Sequence, residues 1–260
     1  MHFIVFIQAS RRAFFNGLLG RMAGKYPMTS GRILHLGSVP YAEALSLQKE
    51  LAERRGRGEI PDTLLLLSHP PVYTLGLRGR EEHLLASREF LSSLGAEIHR
   101  TDRGGDITFH GPGQMVGYAI MDIALRGLDL RGYVRSLLGA IMETLAAFGI
   151  SSWERPGLPG VWTGGGKIAA VGVSVNATGI TRHGFALNVS TDLDWFSHII
   201  PCGLSGERVT SMSRELGRGV ETGAVEDILS SAFCRAFGWE EAHGGLSAPQ
   251  PCLVPGGSLP

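Results

Sequence analysis

GGGKIAAVGVSV at Gly164–Val175 begins the stretch on which the interpretation of this chain depends. The stretch continues with HGFALN at His183–Asn188 and ends with IIPCG. It places Lys167 after three glycines and Cys202 between a proline and a glycine. A thiol and an amine held in one pocket can move acyl groups, because the thiolate attacks while the ammonium stabilises it and then takes up and returns protons. The stretch therefore predicts a site built from these two side chains, with the rest of the chain as its scaffold.

The elements around this stretch predict a mixed sheet flanked by helices. Lys167–Val175 and Ile180–Val189 have the composition of strands, and Asn176–Gly179 is a link of hairpin length between them. Further strands are expected at Arg32–Leu36, Leu64–Leu67, Val72–Leu75, Glu97–Thr101, Met115–Ile123 and Gly160–Thr163. Helical spacing of apolar residues predicts helices from Tyr41 to about Arg55, between Ser87 and Gly95, from Val134 to Phe148 and from Val225 to Phe233. This interleaving indicates a single domain of the α/β or α+β class.

Length and composition fit one core domain with an additional segment at each end. The 260 residues are 43% hydrophobic, and 24 basic residues balance 24 acidic ones. A net charge of +0 favours neither nucleic acid nor an anionic membrane as a partner, and no run approaches the roughly 18 apolar residues of a membrane span. We expect an N-terminal extension at residues 1–27, a catalytic domain at residues 28–240 and a flexible tail at residues 241–260. Residues 1–27 contain arginines but no Asp or Glu, so a mitochondrial targeting peptide is the alternative to a disordered extension.

The three cysteines, Cys202, Cys234 and Cys252, have no CxxC spacing and form no even-numbered set. This pattern predicts a reducing compartment, the cytoplasm, and no zinc site. Cys234 lies on an apolar helix and is expected in the core, whereas Cys252 lies in the tail. Cys202 follows a proline that stiffens the chain and precedes a glycine that lets a substrate come close, so a nucleophile and a buried structural cysteine both remain open.

Lys167 leads directly into the apolar segment Ile168–Val175. A lysine facing the interior from such a strand is costly without a partner, whereas a lysine at the solvated end of a strand needs none. With Cys202 nearby, the interior position becomes favourable. Unperturbed pKa values of about 8.5 for cysteine and 10.4 for lysine allow the two to form a thiolate–ammonium pair near neutral pH.

A second glycine-rich segment, Arg103–Gln114, is predicted to be a loop at the entrance of the strand that begins at Met115. Its glycines could offer backbone N–H groups to a phosphate, but it matches neither the P-loop nor the dinucleotide-binding pattern. Within it, His110 could be a general acid or base, an oxyanion donor, or a hydrogen-bonded structural residue. His69 and His183 are also flanked by proline or glycine, but without carboxylates at ligand spacing they predict no metal site.

Four blocks in this order resemble one family. They are similar to blocks of the octanoyl-[acyl-carrier-protein]:protein N-octanoyltransferases of lipoate biosynthesis. The four blocks are DRGGDITFHGPGQMVGY at Asp102–Tyr118, GGGKIAAVGVSV, HGFALNVSTDL and IIPCG, and a fifth, HPPVYTLG, also fits. The likeness covers the chain from about Arg32 to Phe237. The chain departs from the family pattern at Phe109, where a tyrosine is usual, and at Met115, where a leucine is common.

The resemblance implies the fold of the biotin and lipoate protein ligases, a mixed sheet flanked by helices. It also implies an acyl-enzyme on Cys202, with Lys167 as the partner that lowers the pKa of the thiol. The residues it implies as the lining of the acyl-substrate pocket are Arg103, Gly104, Gly105, Asp106, Ile107, Thr108, Phe109, His110, Ala170, Val171, Gly172, Gly184, Phe185 and Ala186.

By this resemblance the chain transfers an octanoyl group from octanoyl-acyl carrier protein, through a Cys202 thioester, to a lysine amine of lipoyl domains. The acceptors would be the E2 subunits of 2-oxoacid dehydrogenases and the glycine cleavage H protein. Neither ATP nor a metal is expected, because turning a thioester into an amide is downhill and the donor itself carries phosphopantetheine. We expect the chain to be a monomer.

Two other functions fit parts of the sequence. An ATP-dependent lipoate or biotin protein ligase would share the fold and would activate a free acid as an adenylate. A non-catalytic protein that binds lipoyl domains or the acyl carrier would never become acylated. Neither function needs both Cys202 and Lys167, so the pair favours the transferase.

Overall fold

The computed structural model of the protein describes residues 30–203 and 206–239. The expected extension at residues 1–27 and the expected tail at residues 241–260 lie outside the described residues. The strands and helices, in chain order, are β1 (Gly31–Ser38), α1 (Tyr41–Gly56), β2 (Asp62–Ser68), β3 (Val72–Leu75), α2 (Arg88–Ser93), β4 (Glu97–Arg100), β5 (Ile107–His110), β6 (Gln114–Ile120), α3 (Leu130–Ala147), β7 (Trp153–Arg155), β8 (Leu158–Thr163), β9 (Gly166–Val175), β10 (Thr181–Asn188), α4 (Met212–Leu216) and α5 (Thr222–Phe237). Short 3-10 helices are formed by Glu81–His83, Leu193–His198 and Pro201–Gly203.

A seven-stranded mixed sheet forms the centre of the molecule, in the order β1-β2-β6-β10-β9-β8-β7. Strands β1 and β2 are parallel, and the other neighbours are antiparallel. The predicted hairpin closes β9 onto β10, and its turn is held by the Asn176 side chain, whose Oδ1 accepts hydrogen bonds from the backbone N–H groups of Thr178 and Ile180, both at 2.9 Å. The mixed sheet flanked by helices confirms the expected fold class.

Strand β2 shows why both faces of this sheet are covered. Leu64 and Leu66 belong to a core with α3 and α5, whereas Leu65 and Leu67 belong to a second core with α1. Successive side chains of a strand point to opposite faces, so a continuous leucine run requires packing on both sides. Of the helices in the described part of the chain, none is long and apolar enough to span a bilayer.

A smaller sheet, in the order β4-β3-β5, stands beside the large one. Its strand β5 corrects the prediction that Arg103–Gln114 is one loop, because Ile107–His110 pairs antiparallel with β3. Glycines on both sides of ITFH predicted a loop, but its alternation of apolar and polar residues suits a strand with one face in a core. Ile107 and Phe109 pack into a third core with Tyr73 and Leu75.

Other element boundaries follow local capping. The side chain of Ser87 caps α2 by accepting a hydrogen bond from Phe90 N at 3.2 Å, as predicted, and Gly95 follows the helix with a φ of +77°. The strand predicted to reach Ile123 ends at Ile120. Asp122 ends it, because its Oδ1 accepts from Leu125 N at 3.0 Å and turns the chain. The short elements β7 and α4 were not predicted, since three to five residues carry too little periodicity.

Candidate active site

A cavity of about 50 Å³ lies between the two sheets. Strand β5 and the loop before it form one side, and β9 and β10 form the other. The loop is held against β9 by a hydrogen bond from Gly104 N to Val173 O at 2.9 Å. The lining residues are Tyr41, Arg103, Gly104, Gly105, Asp106, Thr108, His110, Tyr118, Ala170, Val171, Gly172, His183, Gly184, Phe185 and Ala186.

Small residues form one wall of the cavity. Ala170 and Gly172 of β9 lie directly opposite Ala186 and Gly184 of β10 in the antiparallel register. Residues opposite each other on neighbouring strands share a face of the sheet, so these four positions make a shallow apolar surface over two rungs. Such a wall suits an unbranched apolar group lying along the strands.

The structure brings together twelve of the fourteen predicted pocket residues around this cavity, the exceptions being Ile107 and Phe109. Both exceptions alternate with the lining residues Thr108 and His110 on β5, so their side chains point to the other face. Phe109 instead stacks on Trp195, with ring centroids 5.1 Å apart and planes 5° from parallel. The hydroxyl that a tyrosine would carry there would therefore lie in the third core, away from the cavity.

His183 is a lining residue that the sequence did not single out as part of the pocket. Its φ of +59° lies in the left-handed region, which is unusual for a non-glycine residue and is often found at functional sites. Its Nε2 lies 2.8 Å from Asp102 Oδ1, and its backbone N–H donates to Gln48 Oε1 at 2.8 Å. The hydrogen bond with His183 holds the pKa of Asp102 at about 2. The only sequence signal for His183 was its position between an arginine and a glycine.

Arg103 is buried, and its guanidinium is held by Thr74, which no pattern in the sequence singled out. Its Nε donates to Thr74 Oγ1 at 3.1 Å, and its Nη2 donates to the same oxygen at 2.9 Å. A guanidinium fixed at several donors presents a defined positive charge at the cavity.

Two buried histidines beside the cavity are uncharged at neutral pH. Burial, and after it the neighbouring His69, lower the pKa of His110 to about 3. Burial also lowers the pKa of His69 to about 4. His69 Nε2 lies 2.7 Å from the hydroxyl of Tyr118, another lining residue that the sequence did not single out.

Lys167 is 7% exposed, at the start of β9 and at the edge of the core. Its Nζ lies 5.7 Å from the centre of the Trp162 ring, and its stem packs over Gly160. A Cβ at Gly160 would lie 2.5 Å from Lys167 Cε, so the glycine makes room for the stem. The lysine is not among the residues that line the cavity.

The backbone of Lys167 is paired with the segment that follows Cys202 in sequence. Lys167 N donates to Arg208 O at 2.8 Å, and Thr210 N donates to Lys167 O at 3.0 Å. This segment is thereby fixed alongside the first residues of β9.

Cys202 lies in the 3-10 turn Pro201–Gly203, and its side chain is outside the described part of the structure. The turn packs directly on the cavity loop, since a Cβ at Gly203 would lie 2.7 Å from Asp106 Oδ2. Asp106 is itself held by His83, whose Nδ1 lies 2.6 Å from the same oxygen. The Gly203 N–H donates to Ile200 O at 3.0 Å, so this backbone donor is engaged within the turn.

A second cavity, of about 360 Å³, borders the same turn at Pro201. It is lined largely by Leu85 and by residues of the segments 193–201 and 206–214. Among the predicted site residues whose side chains the structure describes, none lines it. The smaller cavity, where those residues meet, is therefore the candidate active site.

The fold and this site define a class of protein. The model of the lipoyl protein ligase A/B catalytic domain matches residues 40–234, which is most of the chain. The chain belongs to this family.

Two similar curated relatives are octanoyltransferases. The protein of Rubrobacter xylanophilus is 50% identical over 78% of this chain and 91% of its own length, and that of Chloroflexus aggregans is 44% identical over 79% and 94%. Among solved structures, a bipartite lipoate protein ligase from Thermoplasma acidophilum aligns over 85% of this chain and 88% of its own, with a TM-score of 0.65 and 18% identity. That likeness shows the shared fold.

Proposed function

We propose that this chain is an octanoyltransferase that moves an octanoyl group from octanoyl-acyl carrier protein to the lysine amine of lipoyl domains, through a thioester on Cys202. The acceptors would be the E2 subunits of 2-oxoacid dehydrogenases and the glycine cleavage H protein. A nucleophilic thiol needs a reducing compartment, so the proposal places the reaction in the cytoplasm.

One observation carries the proposal. The residue directly after Cys202, Gly203, packs against the cavity loop at Asp106, and further along the same segment Arg208 and Thr210 pair with the backbone of Lys167. The segment that begins at Cys202 is thus tied both to the cavity and to the lysine. Family membership and the octanoyltransferase relatives support the same acyl chemistry.

In the first half-reaction, the Cys202 thiolate attacks the thioester carbonyl of the donor. A carbon–sulfur bond to Cys202 forms as the bond to the phosphopantetheine sulfur breaks, and the leaving thiolate takes a proton from the Lys167 ammonium. In the second half-reaction, the lysine amine of the acceptor attacks the Cys202 thioester, and neutral Lys167 takes a proton from the attacking amine. An amide forms, and the thiolate–ammonium pair is restored.

No activation step is required on this route. One thioester replaces another, and a thioester then becomes a more stable amide, so neither ATP nor a metal enters the scheme. The small-residue wall of β9 and β10 would receive the acyl chain. Because each buried methylene contributes about 0.8 kcal/mol, the length of that wall can select chain length modestly per carbon.

The test is a transfer assay that separates the three possible functions. Octanoyl-acyl carrier protein without ATP should acylate an apo lipoyl domain, and Cys202→Ser should abolish transfer. Cys234→Ser, on α5, is the matched control and should keep it. Product formed only from octanoate with ATP would identify a ligase, and binding without acylation would identify a non-catalytic partner.

A further inference from the structure

A chain of buried hydrogen bonds runs from the cavity to the segment paired with Lys167. We call it the His110 chain; its members are Thr74, His110, Gln114, Asn188 and Thr210. His110 Nδ1 lies 2.8 Å from Gln114 Oε1, Gln114 Nε2 lies 2.9 Å from Asn188 Oδ1, and Asn188 Nδ2 lies 3.0 Å from Thr210 O. All five residues are less than 9% exposed.

The two amides of this chain have their orientation fixed by backbone carbonyls. Thr210 O can only accept a hydrogen bond, so the Asn188 atom beside it must be the amide nitrogen. Asn188 therefore turns its oxygen to Gln114. The Gln114 nitrogen also donates to Phe109 O at 3.2 Å, which fixes its orientation a second time.

The orientation of Gln114 determines which nitrogen of His110 carries the proton. Gln114 turns its oxygen to His110 Nδ1, and an oxygen needs a donor, so Nδ1 must carry the hydrogen. In a neutral imidazole the other nitrogen, Nε2, then has only a lone pair. The Thr74 hydroxyl lies 3.5 Å from Nε2, at the long limit of a hydrogen bond, so this contact leaves the lone pair available to another donor.

We propose that Gln114 and Asn188 are positioning residues that hold His110 protonated on Nδ1, so that its Nε2 offers a hydrogen-bond acceptor to a donor group of the substrate in the cavity. Of the roles that the sequence left open for His110, this excludes the oxyanion donor. The proposal rests on the proposed function for its role in acyl transfer, but the state of the ring can be measured without any reaction.

The same chain joins the histidine to the lysine. Asn188 holds Thr210 O, and Thr210 N donates to Lys167 O at 3.0 Å. Loss of the Asn188 donor should therefore disturb the placement of Lys167. A misplacement of the order of 1 Å can lower a rate about 100-fold.

The direct test is NMR of the protein with ¹⁵N-labelled histidine near pH 7. Two-bond couplings should show His110 protonated on Nδ1 and bare on Nε2, with the signal assigned by its absence in His110→Gln. A ring protonated on Nε2, or an imidazolium, would overturn the proposal even if the enzyme transferred octanoyl groups. Conversely, a His110 ring protonated on Nδ1 in a protein without transferase activity would contradict the proposed function and leave the present proposal standing.

The second test uses one substitution at two positions. In Asn188→Asp the donor to Thr210 O is lost, so kcat should fall about 10-fold to 100-fold with KM changed little. The new carboxylate still accepts from Gln114 Nε2, so the tautomer of His110 should be kept. Asn176→Asp is the control, because Asn176 Oδ1 only accepts hydrogen bonds in its turn. A normal kcat in Asn188→Asp, or a changed tautomer of His110, would contradict the positioning role.

The third test, Gln114→Glu, replaces the neutral amide beside His110 Nδ1 with a negatively charged carboxylate. A carboxylate beside Nδ1 should raise the pKa of His110 toward the physiological range, against the neighbouring His69, His183 and Arg103, which all lower it. The His110 signals should then titrate between about pH 5 and 8 in the variant and not in the parent. A parent ring that titrates in that range would contradict the proposal.

Discussion

Two buried polar clusters lie at opposite ends of strands β2 and β6, and they are built from different chemistry. At one end is the Asp62 cluster, made of Asp62, Arg55 and Arg126. At the other end is the His110 chain, which begins near His69, directly after β2. One cluster is ionic, and the other is composed of two amides, one neutral imidazole, a hydroxyl and a backbone carbonyl.

The Asp62 cluster is arranged to neutralise its charges. Asp62 Oδ1 accepts from Arg55 Nε at 2.6 Å and from Asp122 N at 3.0 Å, and its Oδ2 accepts from Arg126 Nε. Arg126 also donates to Phe237 O at 2.7 Å, which ties α5 to the sheet. Every one of these contacts is within the fold, so the cluster can stabilise the structure but has nothing to offer a substrate.

The His110 chain is arranged to keep one group available. From His110 onward, each residue donates its hydrogen bond to the next one toward Thr210. The histidine remains neutral because burial holds the pKa of His110 at about 3. The difference between the clusters teaches that burial alone does not mark a site. A site is marked by a polar chain that has a member, here His110, in the lining of a cavity.

The largest effect should follow from removing the proton donor of the proposed reaction. In Lys167→Met the unbranched stem still packs over Gly160, but no proton can be exchanged, so transfer should fall about 100-fold to 10,000-fold. Rates measured with octanoyl-acyl carrier protein, together with a thermal unfolding curve, check this. Lys49→Met, at an exposed position of α1, is the control. A Lys167→Met enzyme with near-normal rates would remove the lysine from the mechanism.

The ionic cluster should respond in stability and not in catalysis. Asp62→Ala leaves two buried guanidinium groups without their carboxylate, which should lower the free energy of unfolding by about 3–5 kcal/mol. Urea denaturation measures this change. Glu143→Ala removes the exposed partner of Arg235 and should cost less than about 1 kcal/mol. Equal effects of the two variants, or a lower kcat per folded Asp62→Ala molecule, would show that the clusters do not differ as described.

The neutral histidines predict a pH dependence of stability. The pKa values of His69 and His110 are lowered to about 4 and about 3, so the unfolded chain binds more protons below its ordinary histidine pKa of about 6.5. Stability is therefore complete above about pH 6.5 and is lost as the pH falls toward 4, by up to about 2 kcal/mol per histidine between pH 6.5 and 5. Denaturation at several pH values measures it. His69→Gln should flatten the curve, whereas His35→Gln, at a half-exposed site, should not. An unchanged curve in His69→Gln would contradict the assignment.

The smallest effect concerns the small-residue wall. Ala170→Val adds two methyl carbons beside Gly184 and Ala186, and should shift the preferred acyl donor toward shorter chains, by about fourfold per methylene. Competition between donors of different length measures the shift. Ala177→Val, in the exposed β9–β10 turn, should leave the preference unchanged. A preference that moves equally in both variants would place the acyl chain elsewhere.

The sequence predicted the fold well where the pattern was local. Long periodic helices, the leucine run of β2 and the Ser87 cap were all found. It failed at β5, where flanking glycines concealed a strand, and it assigned Ile107 and Phe109 to a pocket that the alternation of β5 turns them away from. Thr74, Tyr41 and the Asp62 cluster could not be found, because their partners lie far away in sequence and only the folded sheets bring them together.

The central claim is that Cys202 carries the octanoyl group. Intact-protein mass spectrometry after incubation with octanoyl-acyl carrier protein, without acceptor, tests it most directly. We expect a single hydroxylamine-labile octanoyl adduct that peptide mapping places on Cys202 and that Cys202→Ala lacks. An adduct on another residue, or full transfer to a lipoyl domain by Cys202→Ala, would contradict the covalent route.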